Sequence, residues 1–507
     1  MKKTSKKKLF LLLIIPILIV IDIFSCVFLY YVEPVYYSEP DLSQTVYTFE
    51  LYNKFSYDKK PDFYIKQISA DDIVSYEKDF RLKYIDDTIM IICDKSTTVS
   101  DVTSLISDDN GKICGYISYL NLYQIEFDNS DYEDLLNICS AYSEVEFVSA
   151  TCVDYFEETP LSEDDSTDYS FFSEIDYSYK NVINYPDELE CKSDVVVGIF
   201  DSLVDKNNKY FNILNADTYN NEWLKAPQYM NFIAHGSHVA GIACCSSDSD
   251  SPAVYPNGGI ISDNAFNNSI SYWIAAITDM IVNYNAKAIN ISVGYNTFIS
   301  SAANLGCKNA ISYIENESFF FEKFLEKLID DNYEFILCIA AGNDSESSLN
   351  KIPSHYFSYG DKKILDKIDI FNMFTEKLDY ADAKYSLPFT YITNEKVRDH
   401  IIIVGSCDNK KVLSDFSDAG TAVDIVAPGE YIYSFALDGE YEYNSGTSMA
   451  TPFVTGAAAL IFSYDNSLSA GEVKNILINS ATEAISGHGF EYPLLNISEA
   501  VSAVNIF

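Results

Sequence analysis

The stretch Asn444-Ser445-Gly446-Thr447-Ser448-Met449-Ala450-Thr451-Pro452 constrains this chain more than any other. Residues 453–462 follow it and are small or apolar on every side, which suits a helix buried all round. Proline is tolerated only near a helix start, so Pro452 puts Ser448 at the N-terminus of that helix. A hydroxyl there meets free backbone N–H groups and the positive end of the helix dipole. The position favours a nucleophile whose attack builds negative charge on a neighbouring oxygen. A lone serine there is more often a simple N-cap, so the reading depends on partners elsewhere in the chain.

Those partners lie upstream. Residues 195–200 form a continuous apolar run that ends at Asp201. Such runs are strands buried on both faces, typical of parallel sheets, and ligand sites lie beyond their carboxyl ends. Asp205 competes for the role but lies further into the loop. His235-Gly236-Ser237-His238-Val239-Ala240-Gly241 reads as a tightly packed helix with His235 at its start. Two of the chain's five histidines fall here. His235 is the candidate general base, and His238 a structural residue. Strands are expected at 286–293, 335–341, 400–406 and 423–427. The second leads into Ala340-Ala341-Gly342-Asn343-Asp344, where the Asn343 amide can donate to an oxyanion. Ser469 and Glu472 form a capping box for a helix to about residue 480. Strands alternating with helices give a mostly parallel α/β domain over 191–507.

Asp201, His235, Asn343 and Ser448, each in its local sequence, resemble the subtilisin-like serine proteases, or subtilases. The order Asp, His, Ser is that of subtilisin. The related sedolisins use Glu as base and Asp as oxyanion donor, so His235 and Asn343 exclude them. The resemblance spans about 190–505, and 495–500 resembles the family's closing helix. It implies peptide-bond hydrolysis by an Asp201–His235–Ser448 triad, with Asn343 and the Ser448 N–H holding the oxyanion. It also implies that Ser292-Val293-Gly294 and Ala340-Ala341-Gly342 line the substrate cleft. No cofactor is required for this chemistry. A structural Ca²⁺ suits the family, but its ligands cannot be placed residue by residue. Two positions depart from the pattern: Leu203 stands where Gly is usual, and Phe453 where His is usual. Residues 350–398 read as a long insertion rich in Tyr, Phe and Lys.

The N-terminal part adds context. Five lysines in 1–8 precede an apolar run over 9–32, which fits an uncleaved membrane anchor better than a signal-peptide core. The lysines place the N-terminus in the cytoplasm and the bulk of the chain outside the cell membrane. Residues 33–80 read as a spacer. Over 81–153 the order is β-α-β-β-α-β, the split pattern of a small ferredoxin-like α+β domain. Its last strand is expected at 145–153 and leads into an extended segment, which can add its backbone edge to a cleft strand such as 292–294. Residues 84–153 resemble the subtilase inhibitory propeptide, which would be a partner held in the same chain. Residues 154–190 are an acidic linker, with self-cleavage expected between about Tyr155 and Asp165.

Composition excludes other classes. A formal charge of −41 argues against a nucleic-acid partner, and 40 tyrosines with 32 phenylalanines argue against disorder. The 11 cysteines form no metal-ligand spacing, and Cys338 and Cys407 read as core residues. The rival function is a catalytically silent, membrane-tethered peptide-binding protein. Within the enzyme class, a degradative protease and a maturase for one peptide both remain open.

Overall fold

The computed structural model describes residues 63–64, 73–76, 82–128, 130–145, 148–156, 179–186, 191–202, 204–216, 230–251, 253–265, 268–294, 297–304, 306, 308–345 and 380–504. The apolar run 9–32, most of the spacer and most of the acidic linker lie outside these residues. Among the described residues no helix is long and apolar enough to cross a membrane.

The first sheet has two dry faces, and the period-two pattern explains how. Its elements are β1 (Phe63–Tyr64), β2 (Ile73–Tyr76), β3 (Leu82–Cys93), α1 (Val99–Ile106), β4 (Lys112–Ile117), β5 (Leu122–Glu126), α2 (Tyr132–Ser143) and β6 (Val148–Phe156). The order is β1-β4-β5-β3-β6, with β2 also beside β3, and every pair is antiparallel. Thr98 with Asp101, and Asp131 with Asp134, form capping boxes that start the two helices. Ile89 and Ile91 share a core with Val102, Ile106 and Leu135 of those helices. Met90 and Ile92 face the other way and share a core with Trp273, Phe321 and Phe324. Strand β6 begins three residues later than the spacing suggests. The bonds Val145 N–H to Tyr142 O and Val148 N–H to Val145 O hold the chain in turns until Val148.

The second sheet is parallel throughout, in the order β14-β13-β12-β11-β7-β9-β8. It comprises β7 (Val196–Asp201), β8 (Asn212–Ala216), β9 (Gly259–Asn264), β11 (Ala286–Ile291), β12 (Ile336–Ala340), β13 (Ile401–Cys407) and β14 (Ile425–Pro428), with the short β10 (Asn268–Ser269) outside it. Helices α3 (Met230–Ala243), α4 (Ile270–Thr278) and α5 (Lys308–Asp330) flank it. The hairpin of β15 (Ile432–Phe435) and β16 (Tyr441–Asn444) leads into α6 (Thr447–Tyr464). Helix α6 is buried from Thr447 to Ser463 and packs across β11, β12 and β13, as its all-round apolar character requires. This is the subtilisin-like α/β fold.

One further expectation is corrected. Helix α3 starts at Met230, so His235 lies in its second turn and not at its start; no Gly or Pro between them stops the helix. Residues 380–398, the end of the segment read as an insertion, are packed into the core. They form the short helices Pro388–Tyr391 and Glu395–Arg398, and Phe389 is buried with its ring 4.6 Å from Phe321. The end of β6 pairs with β10, Phe156 with Asn268 and Tyr155 with Ser269, and the segment after it that is expected to reach 292–294 lies outside the described residues.

Candidate active site

Asp201 is the last residue of β7 and is fully buried. Its Oδ1 lies 2.6 Å from His235 Nδ1 and accepts the Ser202 N–H at 2.6 Å. The Gly236 N–H donates to Ser202 Oγ at 2.8 Å, tying α3 to the end of β7. A carboxylate on Nδ1 fixes the imidazole tautomer, with the proton on Nδ1 and the lone pair on Nε2. Asp205 plays no such part: its carboxylate accepts the Asn207 N–H within its own loop. His238 is fully buried, its Nε2 lies 3.0 Å from the Ile432 carbonyl, and burial pushes its pKa down to about 3. It is a neutral packing residue. His400 is also buried, with Nδ1 on the Phe335 carbonyl.

Ser448 is the second residue of α6, and its Oγ lies 3.3 Å from the Ser292 carbonyl. Asn343 follows β12. Its Oδ1 accepts both the N–H and the hydroxyl of Thr447, each at 2.8 Å. Those two bonds orient the amide and leave Nδ2 as a donor beside the first turn of α6. Gly446 makes room for it, since a Cβ there would lie 3.1 Å from Nδ2. Phe453 packs its ring 5.3 Å from Tyr179 on the far side of the helix, and Leu203 lies outside the described residues.

The two stretches expected to line the cleft sit at the ends of neighbouring strands, because β11 and β12 pair in parallel. Ser292, Val293 and Gly294 come after the first; Ala340 ends the second, and Ala341 and Gly342 follow it. Ser386 lies beside both Gly294 and Gly342. A Cβ on Gly294 would be 3.8 Å from its carbonyl, and one on Gly342 would be 2.6 Å from its Oγ. Nothing in the sequence pointed to Ser386, which sits in the segment read as an insertion.

A buried acid pair was also invisible in the sequence. The Asp344 N–H donates to Asp418 Oδ1 at 2.7 Å, and the Asp418 N–H donates to the Gly342 carbonyl at 2.9 Å. Burial raises Asp344 to about 6, and burial together with the charge on Asp344 raises Asp418 well above the carboxylate range. Both folded-state pKa values lie above the unfolded ones. The protonated pair therefore supports the fold at low pH, and that support is lost as pH rises through about 6 and beyond. Asp418→Asn keeps an acceptor for the Asp344 N–H and removes one charge. Its melting temperature should gain on the wild type steadily between pH 4 and pH 8; parallel melting curves would show that the pair is not titrating.

Among the described residues no group of three or more His, Cys, Asp or Glu side chains is arranged to hold a metal ion. All eight described cysteines whose state is assigned are free thiols, including the buried neighbours Cys244 and Cys245.

The model of the subtilase family matches residues 192–493. The chain belongs to the subtilase family. Among curated relatives, this subtilase is 28% identical over 284 residues to a thermophilic serine proteinase of Bacillus sp. (strain AK1), covering 54% of this chain and 53% of that one. It thus spans about half the length of that relative. It is 26% identical to subtilisin E of Bacillus subtilis (strain 168), over 61% of this chain and 66% of the relative. Among solved structures, the epidermin leader peptide processing serine protease of Staphylococcus aureus shares the fold. The TM-score is 0.52 at 20% identity, covering 82% of this chain and 98% of that one.

Proposed function

We propose that this subtilase is a serine endopeptidase. The observation that carries the reading is the 2.6 Å contact between buried Asp201 and His235 Nδ1, at the sheet end where α6 presents Ser448. Ser448 Oγ attacks the peptide carbonyl while His235 takes its proton and later passes it to the leaving amine. Asp201 holds the imidazole and stabilises its protonated form. The carbonyl oxygen, now negative, is held by Asn343 Nδ2 and the Ser448 N–H. Ser292, Val293 and Gly294 pair with the substrate backbone on one side, and Ala340, Ala341 and Gly342 line the other. No cofactor takes part, and a structural Ca²⁺ stays compatible with the acidic chain. A covalent serine-hydrolase reagent tests the reading: the peptidase is labelled at Ser448, whereas a silent peptide-binding protein is not.

Residues 81–153 act, in this reading, as an inhibitor held in the same chain. The β6–β10 pairing supports this, because it lays the end of β6 along the catalytic part directly before the acidic linker. Tyr155 and Phe156 are engaged in that pairing, which moves the self-cleavage point into 157–165.

The apolar run 9–32 anchors the chain with residues 1–8 in the cytoplasm and the catalytic domain outside. Protease added to intact cells should digest the catalytic domain. Protection until lysis would reverse the orientation.

A further inference from the structure

The carbonyl of Ser448 has a problem that α6 cannot solve. In a regular helix it would accept the N–H of residue 452, but that residue is Pro452, which has none. Ser448 is buried, so water does not replace the bond. The Ser292 hydroxyl does, donating to the Ser448 carbonyl at 3.1 Å. Ser292 Oγ in turn accepts from Asn290 Nδ2 at 2.8 Å. Asn290 Oδ1 lies 3.1 Å from the Thr455 hydroxyl, whose one proton also has the Thr451 carbonyl at 3.1 Å, so it is the Ser292 oxygen, its own proton given to Ser448, that requires the amide nitrogen on its side. Asn290 and Thr455 are fully buried and Ser292 is 2% exposed.

The relay has a direction. An amide nitrogen can only donate, so the single proton of Ser292 is committed to the Ser448 carbonyl. We infer that Asn290 and the hydroxyl of Ser292 are positioning residues for the nucleophile, fixing the first turn of α6 from below while Ser448 Oγ and N–H face the substrate. The inference rests on the serine-peptidase reading. It separates two jobs within Ser292: its backbone belongs to the cleft, and its side chain to the nucleophile.

The test is the acylation rate constant of Ser448 with a small fluorophosphonate, read per labelled site so that misfolded protein does not count. Each chain is first incubated with a trace of wild-type protein, so that any processing is complete in all of them. Ser292→Ala orphans the carbonyl and should slow acylation about 10- to 100-fold at every pH. Asn290→Asp keeps the shape and reverses the polarity. The ionised carboxylate only accepts, so it draws the Ser292 proton away from Ser448; the protonated acid donates, as the amide does. The ratio of Asn290→Asp to wild-type rate should therefore climb as pH falls. In a Ser292→Ala background the Asn290→Asp change should add nothing and show no such climb. A Ser292→Ala rate within about twofold of a labelled wild type would overturn the inference alone. So would an Asn290→Asp loss that is independent of pH or adds fully to Ser292→Ala, since both describe a packing effect. Failure of the wild-type chain to label would remove the peptidase reading and this inference with it.

Discussion

Ser448→Ala is expected to bring peptide hydrolysis down to what binding and the oxyanion donors supply, about 10³–10⁴-fold over water. The change removes one oxygen from a buried helix terminus, and alanine favours helix, so the fold should hold. The same variant reports on processing. The wild-type chain should shorten during expression by a cut in 157–165, while the alanine chain stays full length. A denaturing gel and a peptide-hydrolysis assay on the two chains give both results. Wild-type turnover in the alanine variant would end the triad assignment. Equal lengths with normal wild-type turnover would end only the self-processing reading.

Asn343 should show the next largest effect, but Asn343→Ala mixes two losses. Its Oδ1 accepts two hydrogen bonds from Thr447 at the start of α6, and its Nδ2 is the proposed oxyanion donor. Alanine removes both. Asn343→Asp keeps the acceptor and removes the donor. Each variant should lose about 10²–10³ in kcat, roughly 3–4 kcal/mol of transition-state stabilisation. Only Asn343→Ala should also melt earlier, by the cost of losing a helix cap, about 1 kcal/mol. An Asp variant with full turnover would show that the oxyanion is held elsewhere.

The parallel sheet was legible in the sequence because strands buried on both faces read as unbroken apolar runs, as at 195–200 and 336–340. Asp201, Asn343 and Ser448 were legible because each sits where a strand ends or a helix begins, and those ends carry local signals. His235 was found by its neighbours, but its helix was drawn too short, because 230–234 carry no periodic signal of their own and only the glycines and small residues after His235 marked the helix. What stayed hidden depends on distance along the chain. Asp344 and Asp418 meet across 74 residues, and Ser292 and Ser448 across 156. No spacing rule joins such pairs. The packing of 380–398 was hidden for a related reason: Phe389 and Ser386 show their burial only once the core supplies their neighbours.

The shared core of the two sheets bears on what a cut would release. Met90, Ile92 and Leu122 on one side, with Trp273, Phe321 and Phe324 on the other, form a single apolar interior. Lys327 also donates to the Cys93 carbonyl across the boundary, and Lys95 pairs with Asp331. Breaking one peptide bond in the linker leaves all of this in place. The two fragments would travel together on gel filtration and separate only on a denaturing gel. Activity would then appear on dilution, after a lag set by how fast the small fragment leaves, and adding that fragment back would lengthen the lag.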